Sequence, residues 1–454
     1  MNHIKRNIEF QQKKIVKNLK SGEFYNFHNL LLEKSIKNKI HNNLPEYRDR
    51  LYNPIETLSM FLTQALQEDS SCQSIVNSKA INTNKRCSTT TGGYCRARKR
   101  LPLDMVKNLT KHVASISKKK TDRKWKFKGK DVYLVDGTTF IMPDTKDNQD
   151  KYPQQSSLKK GLGFPICRAV GIMSLSTGSL IDAAVSPYQG KGASEQVLLR
   201  SMLNNFKKGD IVLADAFYST YYLLSYVIKN CIDVVLVQHG SRSRTTDFST
   251  GKILGKKDHL IDLKKPPKRP DWMSEEEFAN LPNTITIREL YRGGKTLITT
   301  MLCHKKIDAN EIKDLYKQRW QIEVDFRNIK STLGLKSFSC KTPDMVIKEM
   351  WVYFLAYNFI RHIMLESAIY NKILPRQLSF KHTVQILNNF PYRYSTRIYK
   401  KLLALIGEKI IGNRGGRIEP RAIKRRHNDF PLLMKTRDVA REEIRLNGHP
   451  KKVK

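Results

Sequence analysis

Val132-Tyr-Leu-Val-Asp-Gly-Thr-Thr-Phe-Ile141 marks the point at which the chain turns from helical patterning to strands. Its apolar opening reads as a strand, and Asp136, expected at the end of that strand, is followed by Gly137-Thr138-Thr139. Two further strands follow, Ala169-Val-Gly-Ile-Met-Ser-Leu175 and Leu180-Ile-Asp-Ala-Ala-Val185, joined by a Ser-Thr-Gly turn and predicted to make an antiparallel meander with the first. Next come a helix from Ser194 to Leu203, the strand Ile211-Val-Leu-Ala-Asp-Ala-Phe217, a helix from Tyr221 to Lys229 and the buried-type strand Val234-Val-Leu-Val237. The order is βββαβαβ, and it predicts mixed parallel and antiparallel pairing.

Upstream, residues 1 to about 120 read as helical, most clearly at Pro54-Ile-Glu-Thr-Leu-Ser-Met-Phe-Leu-Thr-Gln-Ala-Leu-Gln67, where a proline opens an amphipathic stretch. Tyr94-Cys-Arg-Ala-Arg-Lys-Arg-Leu-Pro102 crowds cations beside an aromatic, as either a solvated basic loop or a contact for a phosphate backbone. Residues 240–304 have a different character. Lys264-Lys-Pro-Pro-Lys-Arg-Pro-Asp-Trp-Met273 reads as a loop that exposes Trp272 unless it packs on something, and Thr284-Ile-Thr-Ile-Arg-Glu-Leu290 and Thr296-Leu-Ile-Thr-Thr-Met-Leu302 read as strands, so the segment is expected to be a β-rich insertion. A basic run, Arg414 to Arg426, lies near the C-terminus.

Beyond the insertion, Leu315-Tyr-Lys-Gln-Arg-Trp-Gln-Ile-Glu-Val-Asp-Phe-Arg-Asn-Ile-Lys330 carries Tyr316, Arg319, Glu323 and Lys330. At about 100° per residue, Arg319, Glu323 and Lys330 fall roughly 60°, 20° and 40° to one side of Tyr316, bordering an apolar stripe of Leu315, Ile322, Phe326, Ile329 and Leu333. Asp325 points the other way and is predicted to be dispensable. On this helix alone, a solvated face with pairs such as Glu323 with Arg327 is the commoner arrangement.

Composition narrows the choice of partner. With 82 Lys+Arg against 42 Asp+Glu, the formal net charge is +40, spread along the whole chain, and a long polyanion is expected, nucleic acid before an anionic membrane. The most apolar run, Met350 to Ile360, is bounded by Lys348-Glu349 and Arg361-His362 and reads as a buried helix, well short of the roughly 20 residues of a membrane span. The charged N-terminus does not read as a secretory signal, so the cytoplasm is the expected compartment. Seven scattered cysteines without Cys-x-x-Cys argue against a zinc site or a disulfide framework, and Cys231 and Cys303 are expected to be small core residues.

Asp136 could begin a turn and Asp215 could cap a helix. If their strands are neighbours, however, the two carboxylates converge at one edge, and a helix laid across it would add Glu323. Three carboxylates together repel one another unless a cation neutralises them. Magnesium or manganese, bound as two ions, suits such a cluster and serves in-line phosphoryl transfer without a protein nucleophile.

These residues resemble the bacterial insertion-sequence DDE transposases of the Tyr-x-x-Arg-x-x-x-Glu-x-x-x-x-x-x-Lys signature group. Tyr316, Arg319, Glu323 and Lys330 fit that spacing without a gap, and the resemblance extends over Asp136-Gly-Thr, Met142-Pro-Asp-Thr, Gly163-Phe-Pro-Ile, Leu213-Ala-Asp-Ala-Phe-Tyr-Ser, Lys341-Thr-Pro and Leu355-Ala-Tyr-Asn-Phe-Ile-Arg. It implies an α/β fold: a ribonuclease-H-like mixed-sheet catalytic core with a β-rich insertion, flanked by helical N- and C-terminal regions. The expected divisions are a helical DNA-end-binding region over 1–125, the core over 126–239 and 305–375, the insertion over 240–304, and a basic helical region over 376–454. The resemblance further implies Asp136, Asp215 and Glu323 as catalytic metal ligands for magnesium or manganese, and Tyr316, Arg319 and Lys330 as phosphate holders at the transposon end. It implies terminal inverted repeats and target DNA as substrates, a homodimer in a paired-end complex, and a bacterial, nucleoid-associated protein. Trp272 and Trp320 are loose candidates for holding a flipped base. Two other readings of the residues are a nucleic-acid-binding protein without catalysis, such as an inactive remnant, and a structure-selective nuclease on the same core.

Overall fold

The computed structural model describes residues 27–448 apart from 48–50, 68, 83–86, 160, 191, 337, 390–395 and 412–434. The basic run from Arg414 to Arg426 thus lies outside the described residues. Among the described residues nine strands form one sheet: β1 (Val132–Ile141), β2 (Ile166–Ser174), β3 (Leu180–Pro187), β4 (Ile211–Ala214), β5 (Asp233–Val237), β6 (Lys252–Gly255), β7 (Asp258–Lys264), β8 (Thr284–Arg292) and β9 (Lys295–Thr299). Their spatial order is β3-β2-β1-β4-β5-β9-β8-β7-β6. β1, β2 and β3 make the expected antiparallel meander, and β4 and β5 join in parallel. The strands of 240–304 do not stand apart, because β9 pairs antiparallel with β5 and carries the same sheet on through β8, β7 and β6.

The helices used below are α1 (Pro54–Leu66), α2 (Gly92–Arg100), α3 (Leu103–Lys119), α4 (Glu195–Arg200), α5 (Tyr221–Lys229), α6 (Ala309–Lys317), α7 (Gln321–Arg327) and α8 (Pro343–Asn371). The two-residue period of the strands sorts the core into two layers. Leu134, Ile211, Leu213 and Val235 face a cluster that includes Ile322 and Phe326 of α7 and Trp351, Phe354 and Leu355 of α8. Tyr133, Val135, Val212, Ala214, Val234 and Leu236 face the other side, against Leu198 and Leu199 of α4 and Leu224 and Val227 of α5. α8 is buried over most of its length, and no helix among the described residues is long and apolar enough to cross a membrane.

Three expectations need correction. Asp136 is not at a strand end: β1 pairs with β2 as far as Ile141, because the β-forming residues after the acid keep an antiparallel partner after β4 has stopped. Arg98 is not available to a phosphate, since its guanidinium is buried over the rings of Phe61 and Tyr94 and donates to Cys72 Sγ at 3.0 Å, leaving Arg96, Lys99 and Arg100 facing out. Cys231 and Cys303 are exposed, whereas Cys167 and Cys340 are buried. Cys231 occupies a left-handed turn residue (φ 53°) between α5 and β5, where chain reversal overrides its apolar neighbours.

Candidate active site

The parallel register of β1 and β4 builds the site. Leu134 pairs with Leu213, and the same register carried two residues on sets Asp136 beside Asp215. Both acids lie on the face of Leu134 and Leu213, the side covered by α7 and α8. β4 stops at Ala214, and Asp215 begins the next turn: its Oδ1 accepts from Phe217 N at 2.9 Å. Asp136 Oδ1 accepts from Gly137 N at 2.9 Å. On β2, Gly171 stands opposite Asp136, and a side chain there would meet the Phe326 ring at 3.1 Å, so this glycine lets α7 settle directly over the acid.

Glu323 arrives on α7, and Arg319 ties it to Asp136. Arg319 Nη1 lies 3.1 Å from Asp136 Oδ2 and its Nη2 lies 2.7 Å from Glu323 Oε1. Glu323 therefore pairs with the arginine four residues before it and not with Arg327. The segment is not one uniform helix: α6 passes through a 3-10 turn (Gln318–Trp320) into α7 and then a π-helical stretch (Asn328–Thr332). The wider π turn shifts the 100° wheel at its end. Tyr316 is buried, and Lys330 turns inward, its Nζ donating to Thr139 O at 2.7 Å and lying 4.8 Å from the Phe140 ring centre. Trp320 is 61% exposed.

Asp325 does point away from Glu323, but into the core. Its carboxylate is fully buried, accepts from Arg361 Nη2 at 2.6 Å, and accepts from Arg376 Nη1 at 2.7 and 2.8 Å. Arg376 also donates to Ser174 O and Leu175 O, so the cluster locks α7 to α8 and to the end of β2. A helical wheel shows the direction of Asp325 but not the charges that wait there.

The electrostatics are those of a crowded acid cluster. Burial pushes the Asp136 carboxyl up to about 6, Arg319 and the Gly137 N–H oppose the shift, and the charges of Asp215 and Glu195 add to it. The Tyr316 phenol is pushed up to about 12, chiefly by burial, so it stays protonated and able to donate at neutral pH. Burial lowers the pKa of the Lys330 ammonium. Among the described residues no three His, Cys, Asp or Glu side chains are gathered so that they could hold a metal ion, and Arg319 lies between two of the acids. The donor chemistry fits a hard divalent cation: all the groups are carboxylate oxygens, and their mutual repulsion is what such a cation relieves.

Sequence reasoning missed two features. Glu195, at the first turn of α4, brings a fourth carboxylate to Gly137, and a Gly-Gly turn between β8 and β9 brings cations to the signature helix. There Arg292 and Lys295 join Lys313, Lys317, Arg319 and Trp320 around a notch of about 160 Å³. Cations flanking a turn glycine pair were the available signal for the second, whereas Glu195 reads locally as an ordinary helix-start acid. Trp272 is 43% exposed but not free: Arg200 lies 3.5 Å from its ring centre and Tyr222 meets it edge-on.

Comparison with known proteins bears on the same residues. A family model described as "Transposase DDE domain" matches residues 127–359. The chain is 28% identical over 324 residues to "Transposase InsG for insertion sequence element IS4" of Escherichia coli (strain K12), covering 68% of this chain and 70% of that protein. It is 33% identical over 105 residues to "Putative transposase InsZ" of the same organism, covering 23% of this chain and 34% of that one. A solved piggyBac transposase synaptic complex with hairpin DNA aligns at a TM-score of 0.42 and 9% identity over 94% of this chain and 85% of its own, a likeness too low to carry an argument.

Proposed function

We propose that this chain, which belongs to the transposase DDE domain family, binds the terminal inverted repeats of its own insertion sequence, cleaves the ends and joins their 3′-hydroxyls to target DNA. The protein is a DNA transposase and therefore an enzyme; its family implies DNA as substrate and a divalent metal ion as cofactor. Our finer reading places it in the Tyr-Arg-Glu-Lys signature group, with two magnesium or manganese ions at Asp136, Asp215 and Glu323 and a homodimer in a paired-end complex. The observation that carries this reading is the Arg319 bridge between Asp136 and Glu323, beside the strand register that sets Asp136 next to Asp215.

Divalent ions at these carboxylates would supply Lewis acidity at the scissile phosphate and a lower pKa for the attacking hydroxyl. The chain's own groups do the rest. With the acids neutralised, the Arg319 guanidinium can exchange two carboxylates for phosphate oxygens, which it binds in the same forked geometry. Tyr316 donates its protonated hydroxyl beside it, and the cations around the Arg292–Lys295 turn hold the strand electrostatically. Lys330, the third phosphate holder in this reading, is held at the Thr139 carbonyl, three residues beyond Asp136 on β1. The excess of cations elsewhere, with the N-terminal region over 1–125 as the end-binding part, follows the flanking duplex.

The test is magnesium titration of the purified chain with labelled duplex ending in the element's inverted repeats. Nicked and joined products that vanish in Asp215→Asn and Glu323→Ala, with binding retained and two chains per paired-end complex, are expected. A salt-sensitive shift without any product would leave a binding protein, and cleavage without a joined product would leave a nuclease.

A further inference from the structure

Glu195 is the acid that neither the strand pattern nor the signature predicts. Its helix packs on the face of the sheet opposite α7, since Leu198 and Leu199 belong to the cluster around Tyr133 and Val135. A carboxylate from that side would normally be walled off from Asp136 by the intervening side chain of the strand. Here the intervening residue is Gly137, and a Cβ built on it would overlap the Glu195 carboxyl group. The glycine is therefore a window through which the acid reaches the edge of β1 one residue from Asp136.

Three contacts set the carboxylate in that window. Ser194 caps α4, its Oγ accepting from Val197 N, and so fixes Glu195 at the first helical position. The Tyr218 hydroxyl donates to Glu195 Oε2 at 3.2 Å, and Tyr218 lies three residues beyond Asp215 on the turn that Asp215 begins. Arg168 Nε, which makes no hydrogen bond among the described residues, lies 3.8 Å from Oε1. A carboxylate offers about four acceptor positions. One hydrogen bond and one long ion pair leave most of them unfilled, on a side chain that is only 24% exposed.

We propose that Glu195 is a fourth carboxylate of the divalent-cation site, reaching it through the Gly137 window from the face opposite Glu323. The inference rests on the transposase reading of Asp136 and Asp215. It makes the cation site two-sided, with Glu323 supplied by the signature helix and Glu195 by α4. It also explains why a glycine directly follows the first acid.

Manganese binding to the full chain, followed by the loss of free Mn2+ electron-paramagnetic-resonance signal, tests this without relying on turnover. Glu195→Gln should weaken Mn2+ binding about tenfold or more, the scale for losing a group that acts on a metal site. Its circular dichroism, melting temperature and binding to end-bearing duplex should stay near wild type. Gly137→Ala, which keeps the glutamate but fills its window, should weaken Mn2+ in the same direction and decides the matter should Glu195→Gln fold poorly. Wild-type Mn2+ affinity in both variants would overturn the role of Glu195 while leaving the three-acid reading intact. If wild-type protein shows no Mn2+ binding that Asp136→Asn removes, the three-acid reading falls and this inference with it.

Discussion

Glu323 and Asp325 stand two residues apart on one short helix, yet they belong to different parts of the molecule. Glu323 is 34% exposed on its side chain and shares Arg319 with Asp136, so its charge is compensated by a group that can change partners. Asp325 is fully buried between Arg361 and Arg376, which are themselves held by Tyr357 and by two carbonyls at the end of β2. A buried charge is costly unless it is paired and hydrogen-bonded, and the arginines that pair with Asp325 also tie α7 to α8 and to the end of β2. In the function proposed above, chemistry falls to the acid whose compensation is loose, while the tight cluster holds its helix in place. The difference lies in the partners, not in the residue type.

Glu323→Gln should give the largest effect: cleavage of end-bearing DNA falls at least about a thousandfold, equivalent to about 4 kcal/mol in the barrier, while the melting temperature barely moves. Product gels paired with calorimetry check both halves. Asp325→Ala should invert the pattern, costing about 3–5 kcal/mol of stability by leaving two arginines buried without their acid. Denaturant titration measures that loss, and a stably folded but inactive Asp325→Ala would break the comparison by giving Asp325 a direct role. Arg319→Ala falls between them. It removes a partner of both Asp136 and Glu323, and cleavage should drop about ten- to a hundredfold, with a shallower salt dependence of duplex binding from one fewer phosphate contact.

The smallest effect is one of pH. Asp136 titrates near 6 in the folded protein, above the unfolded value near 3.8. A proton there favours the folded form, so this contribution is fully present below the unfolded pKa and is lost as pH rises through 6, on the order of 1 kcal/mol once screening is allowed for. Wild type minus Asp136→Asn, melted in cation-free buffer between pH 4 and 7, isolates it. Mn2+ should displace the proton and move the wild-type midpoint downward; a midpoint indifferent to Mn2+ would detach Asp136 from the cation site.

Much of this was legible in the chain. β1 to β5 and the helices between them follow from periods of two and 3.6 residues, and the offset that sets Asp136 beside Asp215 needs only the two strands to be neighbours. The helical wheel put Tyr316, Arg319 and Glu323 together, since all three precede the π-helical stretch. What escaped the local pattern in two places shares one cause. Asp325 meets Arg361 and Arg376, 36 and 51 residues away, and Arg98 is claimed by Phe61 and Cys72. Those partners come from other elements, and no local pattern names them. Cys231 and Cys303 erred in the opposite direction, because apolar neighbours in sequence do not place a turn residue inside.

By itself, then, the sequence determined the order of strands and helices, the acids they carry, the large positive charge and the spacing of the signature helix, because each is a local or additive property. Tertiary structure alone decided which acids share Arg319 and which is locked between two arginines, and that the Glu195 carboxylate meets Gly137 from the opposite face. Burial and charge compensation belong to pairs of residues, and those pairs exist only once the sheet and its two layers have closed around them.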